Sequence, residues 1–192
     1  IRAARAAVRS ADAVLLSDYG YGVLSPALRR TAIQEAKRAK IPIVVDSRYA
    51  LRSYRGATLL TPNEHEVQDA LHLPSLRTSL LKRAGEDLIR RAGAKAVWIT
   101  RGSDGMLLFE RGARPLGLSI VGSSDVADVT GAGDAVSAAA ALALAAGAAQ
   151  LEAAMLATYA ASVVVMKRGT ATVSREEIED AIRAHPAPGI VP

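Results

Sequence analysis

The sequence has no cysteine, one phenylalanine and one tryptophan in 192 residues, and aromatic residues make up only 4% of it. The missing thiols exclude a disulfide framework, thiolate metal sites, iron–sulfur clusters and a cysteine nucleophile, and they suit a reducing, cytoplasmic compartment. So few aromatics argue against a base-stacking platform for single-stranded nucleic acid. No apolar run is long enough to span a bilayer, which needs ~20 residues. The longest, residues 135–147, is separated by Gly147, Gln150 and Glu152 from a second run at residues 160–166, so the pair reads as two buried helices. No secretory signal is expected, no internal repeat is evident, and neither GxxxxGK[ST], a GxSxG elbow nor the protein-kinase signatures occur in this sequence.

Hydrophobic residues make up 50% and charged residues 22%, enough apolar material for a packed core and too much for a disordered chain. The length fits one domain or a large piece of one. The formal charge of +5 suits an acidic partner such as a nucleotide or phosphate. Nucleic acid is disfavoured, because the arginines are dispersed and no recognition motif accompanies them. Arg2, Arg5 and Arg9 share a helical face with no acid before Asp12, a pattern also seen in transit peptides; a solvated face on a domain helix is the preferred reading. His65, His72 and His185 lack metal-ligand spacing, and Trp98 falls in a core strand.

Short apolar runs alternate with longer helical ones. Strands are expected at residues 13–17, 41–46, 57–61 and 96–100, with helices at 26–40, 64–71 and 80–92 between them. This is the rhythm of a parallel sheet covered on both faces. Residues 105–110 and 116–121, joined through the Gly and Pro turn at 111–115, read as an antiparallel hairpin. Helices at about 133–146, 150–167 and 175–185 close the fold, the last opened by a Ser174/Glu177 capping box. Residues 186–192 carry three prolines and a glycine and are expected to be a loose tail after a domain spanning 1–185.

The chemistry concentrates after Asp125, in DVADVTGAGDAVSAAAALALAAG. Gly131 and Gly133 permit backbone conformations closed to other residues, and the free N–H groups of residues 131–134 would face out of a helix N-terminus. Such an end attracts anions, and a phosphate is the natural guest. Asp134 lies in the same turn. It could be an ordinary first-turn acid, but a carboxylate beside a phosphate site also suits the base that orients an attacking hydroxyl. A Rossmann reading fails because Val136 takes the third glycine place of GxGxxG.

Residues 128–134, DVTGAGD, resemble the DTTGAGD signature of the ribokinase-like, PfkB-type carbohydrate kinases. Pro62, Asn63 and Glu66 match that family's PNxxE element, and Thr100, Gly102 and Gly105 in ITRGSDG resemble its nucleotide-binding turn. The three elements stand in the family's order and spacing. The resemblance implies a ribokinase-like α/β fold, a mostly parallel sheet with helices on both faces. The chain would correspond to the later two-thirds of a full-length member, without the N-terminal strands, the lid and most sugar contacts. That would leave a sheet edge open to a second copy in a homodimer or to a partner segment, and would leave kinase activity weak in isolation.

Within the family, LLSDYGYGVLS, YRGATLLTPNEHE and VVVMKRGTATVS resemble kinases of the ADP-heptose pathway that phosphorylate heptose 7-phosphate. Tyr21 departs from the lysine usual there, and residues 46–49 read DSRY instead of DPKG, with Arg48 keeping the positive charge. The resemblance implies that Asp134 is the base and that the amides of Gly131, Ala132 and Gly133 form an anion hole. It further implies that Asn63 and Glu66 help hold Mg²⁺, and that Thr100, Gly102, Gly105, Thr130, Thr158 and Ser162 border ATP. Asp18 and Arg48 would meet the sugar or sugar phosphate, and Asp128 with Thr130 would border a monovalent cation such as K⁺. Asn63 and Glu66 have a second reading as a helix capping box. The whole motif also admits a nucleotide-binding or interaction module without catalysis.

Overall fold

The computed structural model describes residues 1–73, 78–122 and 127–191. Its centre is a seven-stranded mixed sheet in the order β1 to β7. The strands are β1 (Val14–Asp18), β2 (Ile43–Ser47), β3 (Leu59–Leu60), β4 (Ala96–Thr100), β5 (Met106–Glu110), β6 (Leu116–Leu118) and β7 (Ile190–Val191). β1 to β4 are parallel neighbours, whereas β5, β6 and β7 follow antiparallel. The short apolar strands of the parallel half send alternate side chains to opposite faces. Val45, Leu60, Val97 and Ile99 enter one core, and Val44, Leu59, Ala96 and Trp98 enter the other.

Each core is roofed by helices. The first packs under α1 (Arg2–Arg9), α2 (Pro26–Ala39), α3 (Glu64–Leu71) and α4 (Thr78–Ala92); the second under α5 (Ala132–Ala145), α6 (Gln150–Val164) and α7 (Arg175–Ala184). α5 and α6 are rich in alanine, so their backbones approach the sheet and each other closely: Ala140, Ala153, Ala154, Ala157 and Ala160 are all fully buried. No helix among the described residues is long and apolar enough to cross a membrane.

The tail departs from the loose terminus that its prolines suggest. Ile190 and Val191 pair with Leu118 and Gly117, and the Gly189 amide donates to Ser119 Oγ at 2.8 Å, because β6 offers an unpaired edge. Pro192 lies outside the described residues. The helix at residues 150–167 is shorter than expected, ending at Val164, and its last carbonyls close on Val165, Met166 and Lys167 in turns.

The arginines of α1 are partly structural. Arg5 and Arg9 reach Glu35 of α2 at 3.3 and 3.0 Å, and Arg38 joins it at 2.9 Å. Glu35 is only 3% exposed, so its charge requires such partners. The Arg9 hydrogen bond, aided by the neighbouring guanidinium charges, holds its carboxyl below the usual 4.5. A carboxyl depressed in the folded state stabilises above its ordinary pKa and loses that contribution as pH falls through the lowered value. Hydrogen exchange in α1 is therefore expected to accelerate as pH drops from about 5 to about 3, relative to the intrinsic rates. Glu35→Gln should show fast exchange in α1 at both pH values.

Candidate active site

The carboxyl ends of β1, β2, β3 and β4 open on one side of the sheet, the usual position of ligand sites in open α/β folds. Asp18 ends β1, Asp46 lies near the end of β2, Asn63 follows β3, and Thr100 closes β4. A parallel bridge joins Asn63 to Thr100, whose amide donates to Pro62 O at 2.9 Å. The N-terminus of α5 completes this side. Thr61 and Ser137 share a buried hydroxyl–hydroxyl hydrogen bond of 2.9 Å that fixes the first turns of α5 over β3.

The start of α5 differs from those of α2, α3 and α7. Ser25, Asn63 and Ser174 cap those helices through their side chains, but the N-cap of α5 is Gly131, at φ 83°, with no side-chain cap. That left-handed conformation explains a glycine there. Before it, Asp128 Oδ1 accepts from the Thr130 amide at 2.9 Å and Oδ2 from the Gly169 amide at 3.0 Å, tying the turn to the loop after α6. The Thr130 side chain, then these two amides, hold its carboxyl below the usual range, and the amides engage both oxygens.

The anion hole expected from Gly131, Ala132 and Gly133 needs one correction. The Ala132 amide already donates to Val129 O at 3.2 Å, because residues 129–132 close a turn. The amides of Gly131, Gly133 and Asp134 have no acceptor among the described residues. The Asp134 side chain is exposed in the same turn, and one of its oxygens accepts a 2.7 Å hydrogen bond from Tyr19 Oη.

The acids at this end differ sharply. Asp18, expected at the sugar, is instead a buried hub: Arg29 donates to it at 2.8 Å, the Gly20 amide at 3.1 Å, and the Tyr54 and Ser47 hydroxyls complete the set. Its oxygens hold the loops around the end of β1. Burial and the Asp18 hydrogen bond push the Tyr54 phenol up, keeping it a donor. Asp46 has no hydrogen-bonded side-chain partner among the described residues; burial, then the charges of Glu66 and Asp134, raise it to about 6. Glu66 is raised by burial, with the Asn63 amide and Arg48 pulling the other way.

Asn63 and Glu66 form a reciprocal capping box on α3, with both bonds at 2.9 Å. The Asn63 carbonyl and Glu66 Oε2 are therefore engaged, and Glu66 Oε1 is the oxygen left for other work. Arg48 is exposed beside the Tyr49 ring, with its amide on Asp18 O at 3.0 Å. Gly102 is exposed with open space around its Cα, so a ligand can approach the main chain there. Gly105 is required by the fold: at φ 80°, an added Cβ would lie 2.0 Å from Leu118 O.

Two residues expected at the nucleotide are turned to the helix itself. Thr158 is buried and donates to Ala154 O at 2.9 Å, and Ser162 donates to Tyr159 O at 2.7 Å, as hydroxyls on α6 readily do. Thr130 is exposed beside the α5 turn. One open groove, about 560 Å³, is lined by Tyr49, Arg52, Arg55, Asp69, His72 and Arg91 among others and includes none of the strand-end acids. Sequence reasoning passed over Asp46 and Tyr19 as site residues. Their signals were a strand-ending acid in IPIVVD and an aromatic in the glycine-flanked turn DYGYG.

A family model described as pfkB family carbohydrate kinase matches residues 2–177. The bifunctional protein HldE of Pelobacter propionicus is 41% identical over 172 residues, 89% of this chain and 35% of that protein. HldE of Geobacter sulfurreducens is 45% identical over 170 residues, covering 87% and 34%. The chain thus spans about a third of the length of these curated relatives. Among solved structures, the ribokinase of Arabidopsis thaliana complexed with ribose and ATP superposes with a TM-score of 0.80 at 27% identity, over 92% of this chain and 57% of that one.

Asp46 offers a direct check of the site's electrostatics. A carboxyl raised from 3.8 to about 6 destabilises the folded state wherever it is ionised, fully above the raised value and not at all below 3.8. Asp46→Asn is expected to raise unfolding stability by about 2 kcal/mol near pH 7.5, discounted for residual solvent, and by nothing below about pH 4. Denaturant titrations of both proteins at the two pH values measure it.

Proposed function

The chain belongs to the pfkB family of carbohydrate kinases, and from that premise we propose that it serves ATP-dependent phosphoryl transfer to a hydroxyl of a sugar or sugar phosphate. Heptose 7-phosphate is the acceptor class that the stretches at residues 15–25, 54–66 and 163–174 favour. One observation carries the reading: amides of Gly131, Gly133 and Asp134 without an acceptor among the described residues share the first turn of α5 with the Asp134 carboxylate, at the carboxyl ends of the parallel strands.

In this reading the amides bind the terminal phosphate oxygens and stabilise the charge that spreads over them during transfer. Asp134 orients the acceptor hydroxyl and takes its proton. The acceptor oxygen bonds to the γ-phosphorus, the bond from that phosphorus to the β–γ bridging oxygen breaks, and the electron pair leaves with ADP. Thr100 and Gly102 stand where the β4–β5 turn can meet the nucleotide, and Arg48 is the exposed cation placed to meet an anionic acceptor.

Asp46, Glu66 and Asp134 would repel phosphates without a cation between them. Among the described residues no three His, Asp or Glu side chains form a direct ligand cluster. That donor set fits Mg²⁺ held mostly by waters and phosphate oxygens, with Glu66 Oε1 and Asp46 reaching its hydration shell. When bound, the ion neutralises charge on the phosphate oxygens.

Asp134→Asn in the complete product of the gene that encodes this chain is expected to lower turnover by about 10³-fold or more. ATP affinity should stay within about twofold of wild type. Coupled ADP-release kinetics over a panel of sugar phosphates, with calorimetric ATP titration, measure both. Wild-type turnover in the variant would overturn Asp134 as the base, and ATP binding without turnover in either protein would return the site to a nucleotide-binding role.

A further inference from the structure

Tyr19 is the residue on which the orientation of Asp134 depends. Asp134 is exposed, and its side chain has no other hydrogen-bond partner among the described residues. A carboxylate in the first turn of a helix can otherwise turn about χ1 and χ2, presenting either oxygen or neither to a bound hydroxyl. The 2.7 Å bond from Tyr19 Oη fixes Oδ1 across 115 residues of sequence.

Tyr19 is itself firmly placed although its ring is exposed. It follows Asp18, whose buried carboxylate gathers Arg29, Tyr54 and Ser47 and also takes the Gly20 amide. Gly20 sits at φ 81°, where an added Cβ would lie 2.7 Å from the Tyr49 ring, so the turn is confined on that side as well.

We propose that Tyr19 is a positioning residue for phosphoryl transfer: by binding Asp134 Oδ1 it holds the carboxylate so that Oδ2 faces the acceptor hydroxyl. The inference rests on Asp134 being the base. The phenol keeps its proton throughout and exchanges none with the substrate, so it acts only through Asp134. The contact with Asp134 raises the Tyr19 pKa above the usual 10.0, which keeps the donor protonated across the working range and provides a signature of the bond.

The experiment uses the complete gene product and a double-mutant cycle. Tyr19→Phe should lower kcat by about tenfold to a hundredfold, the scale of a slightly misplaced reacting group, with KM for ATP and acceptor within about twofold. In the Asp134→Asn background the same substitution should change turnover no further. Spectrophotometric titration near 295 nm, as the difference between wild type and Tyr19→Phe, isolates the Tyr19 phenol. Its pKa should fall in Asp134→Ala, a readout independent of activity.

Unchanged or increased kcat in Tyr19→Phe overturns the inference, the increase marking Tyr19 as a blocker of the base. An equal loss in both backgrounds overturns it too, by showing a general structural effect, as does a phenol titration indifferent to Asp134→Ala. Inactive Asp134→Asn beside a fully active Tyr19→Phe sinks the Tyr19 role alone. A fully active Asp134→Asn sinks the base assignment and the Tyr19 role together.

Discussion

Everything at the carboxyl end of the sheet depends on a helix that starts without a side-chain cap. Most helices satisfy some of their first amides with a Ser, Thr, Asp or Asn side chain. α2, α3 and α7 do so through Ser25, Asn63 and Ser174, whereas α5 begins at Gly131 with nothing in that place. Free amides facing solvent cost little, and they keep the positive end of the helix available to an anion. The protein then fixes that end by other means. Thr61 and Ser137 bond across the buried interface, and Asp128 binds the preceding turn to the loop at Gly169. The uncapped end is thus rigidly held yet chemically open, the combination that phosphoryl transfer needs.

Two aspartates on adjacent strands show how little a residue type says about its role. Asp18 and Asp46 pair directly across from Ser47 and Ser17 in the register of β1 and β2. Asp18 is surrounded by donors, including the Arg29 guanidinium, and serves as an anchor. Asp46 has neighbouring acids in place of donors, and burial raises it to about 6. A carboxylate left in that condition is offset only by protonation or by a cation arriving with the phosphates. The difference is set by which residues of α2 and of the segment after β2 fold over each strand end.

Much of the architecture was legible from local pattern. The apolar runs of β2 and β4, the breaks at Gly and Pro, and the capping box at Ser174 are each decided within a few residues, and helix α3 and strand β4 have the bounds the pattern predicts. The glycine turn before α5 was legible for the same reason, since Gly131 and Asp134 are close in sequence. What escaped was decided by partners far away. Asp18 is defined by Arg29 and Tyr54, Tyr19 by Asp134, and the tail by the free edge of β6. Thr158 looks like any polar residue in a helix, and only the packing of α6 shows that its hydroxyl is turned to Ala154 O. The Ala132 amide escaped for a subtler reason, because its use depends on the turn geometry at Val129 rather than on residue type.

The placement of Tyr19 also accounts for the density of charge on the α1–α2 side. β1 pairs with β2 in parallel, and Tyr19 directly follows its carboxyl end. Side chains constrain that end: Arg29 of α2 grips Asp18 and lies over the Tyr54 ring, while Arg5 and Arg9 of α1 fasten that layer through Glu35. Buried or half-buried ion pairs contribute little net stability but strongly disfavour arrangements that leave one charge alone. Specifying position matters more than strength where a strand end must present a phenol to a carboxylate at hydrogen-bonding distance, and that requirement gives a reason for a buried charge cluster beside an otherwise apolar core.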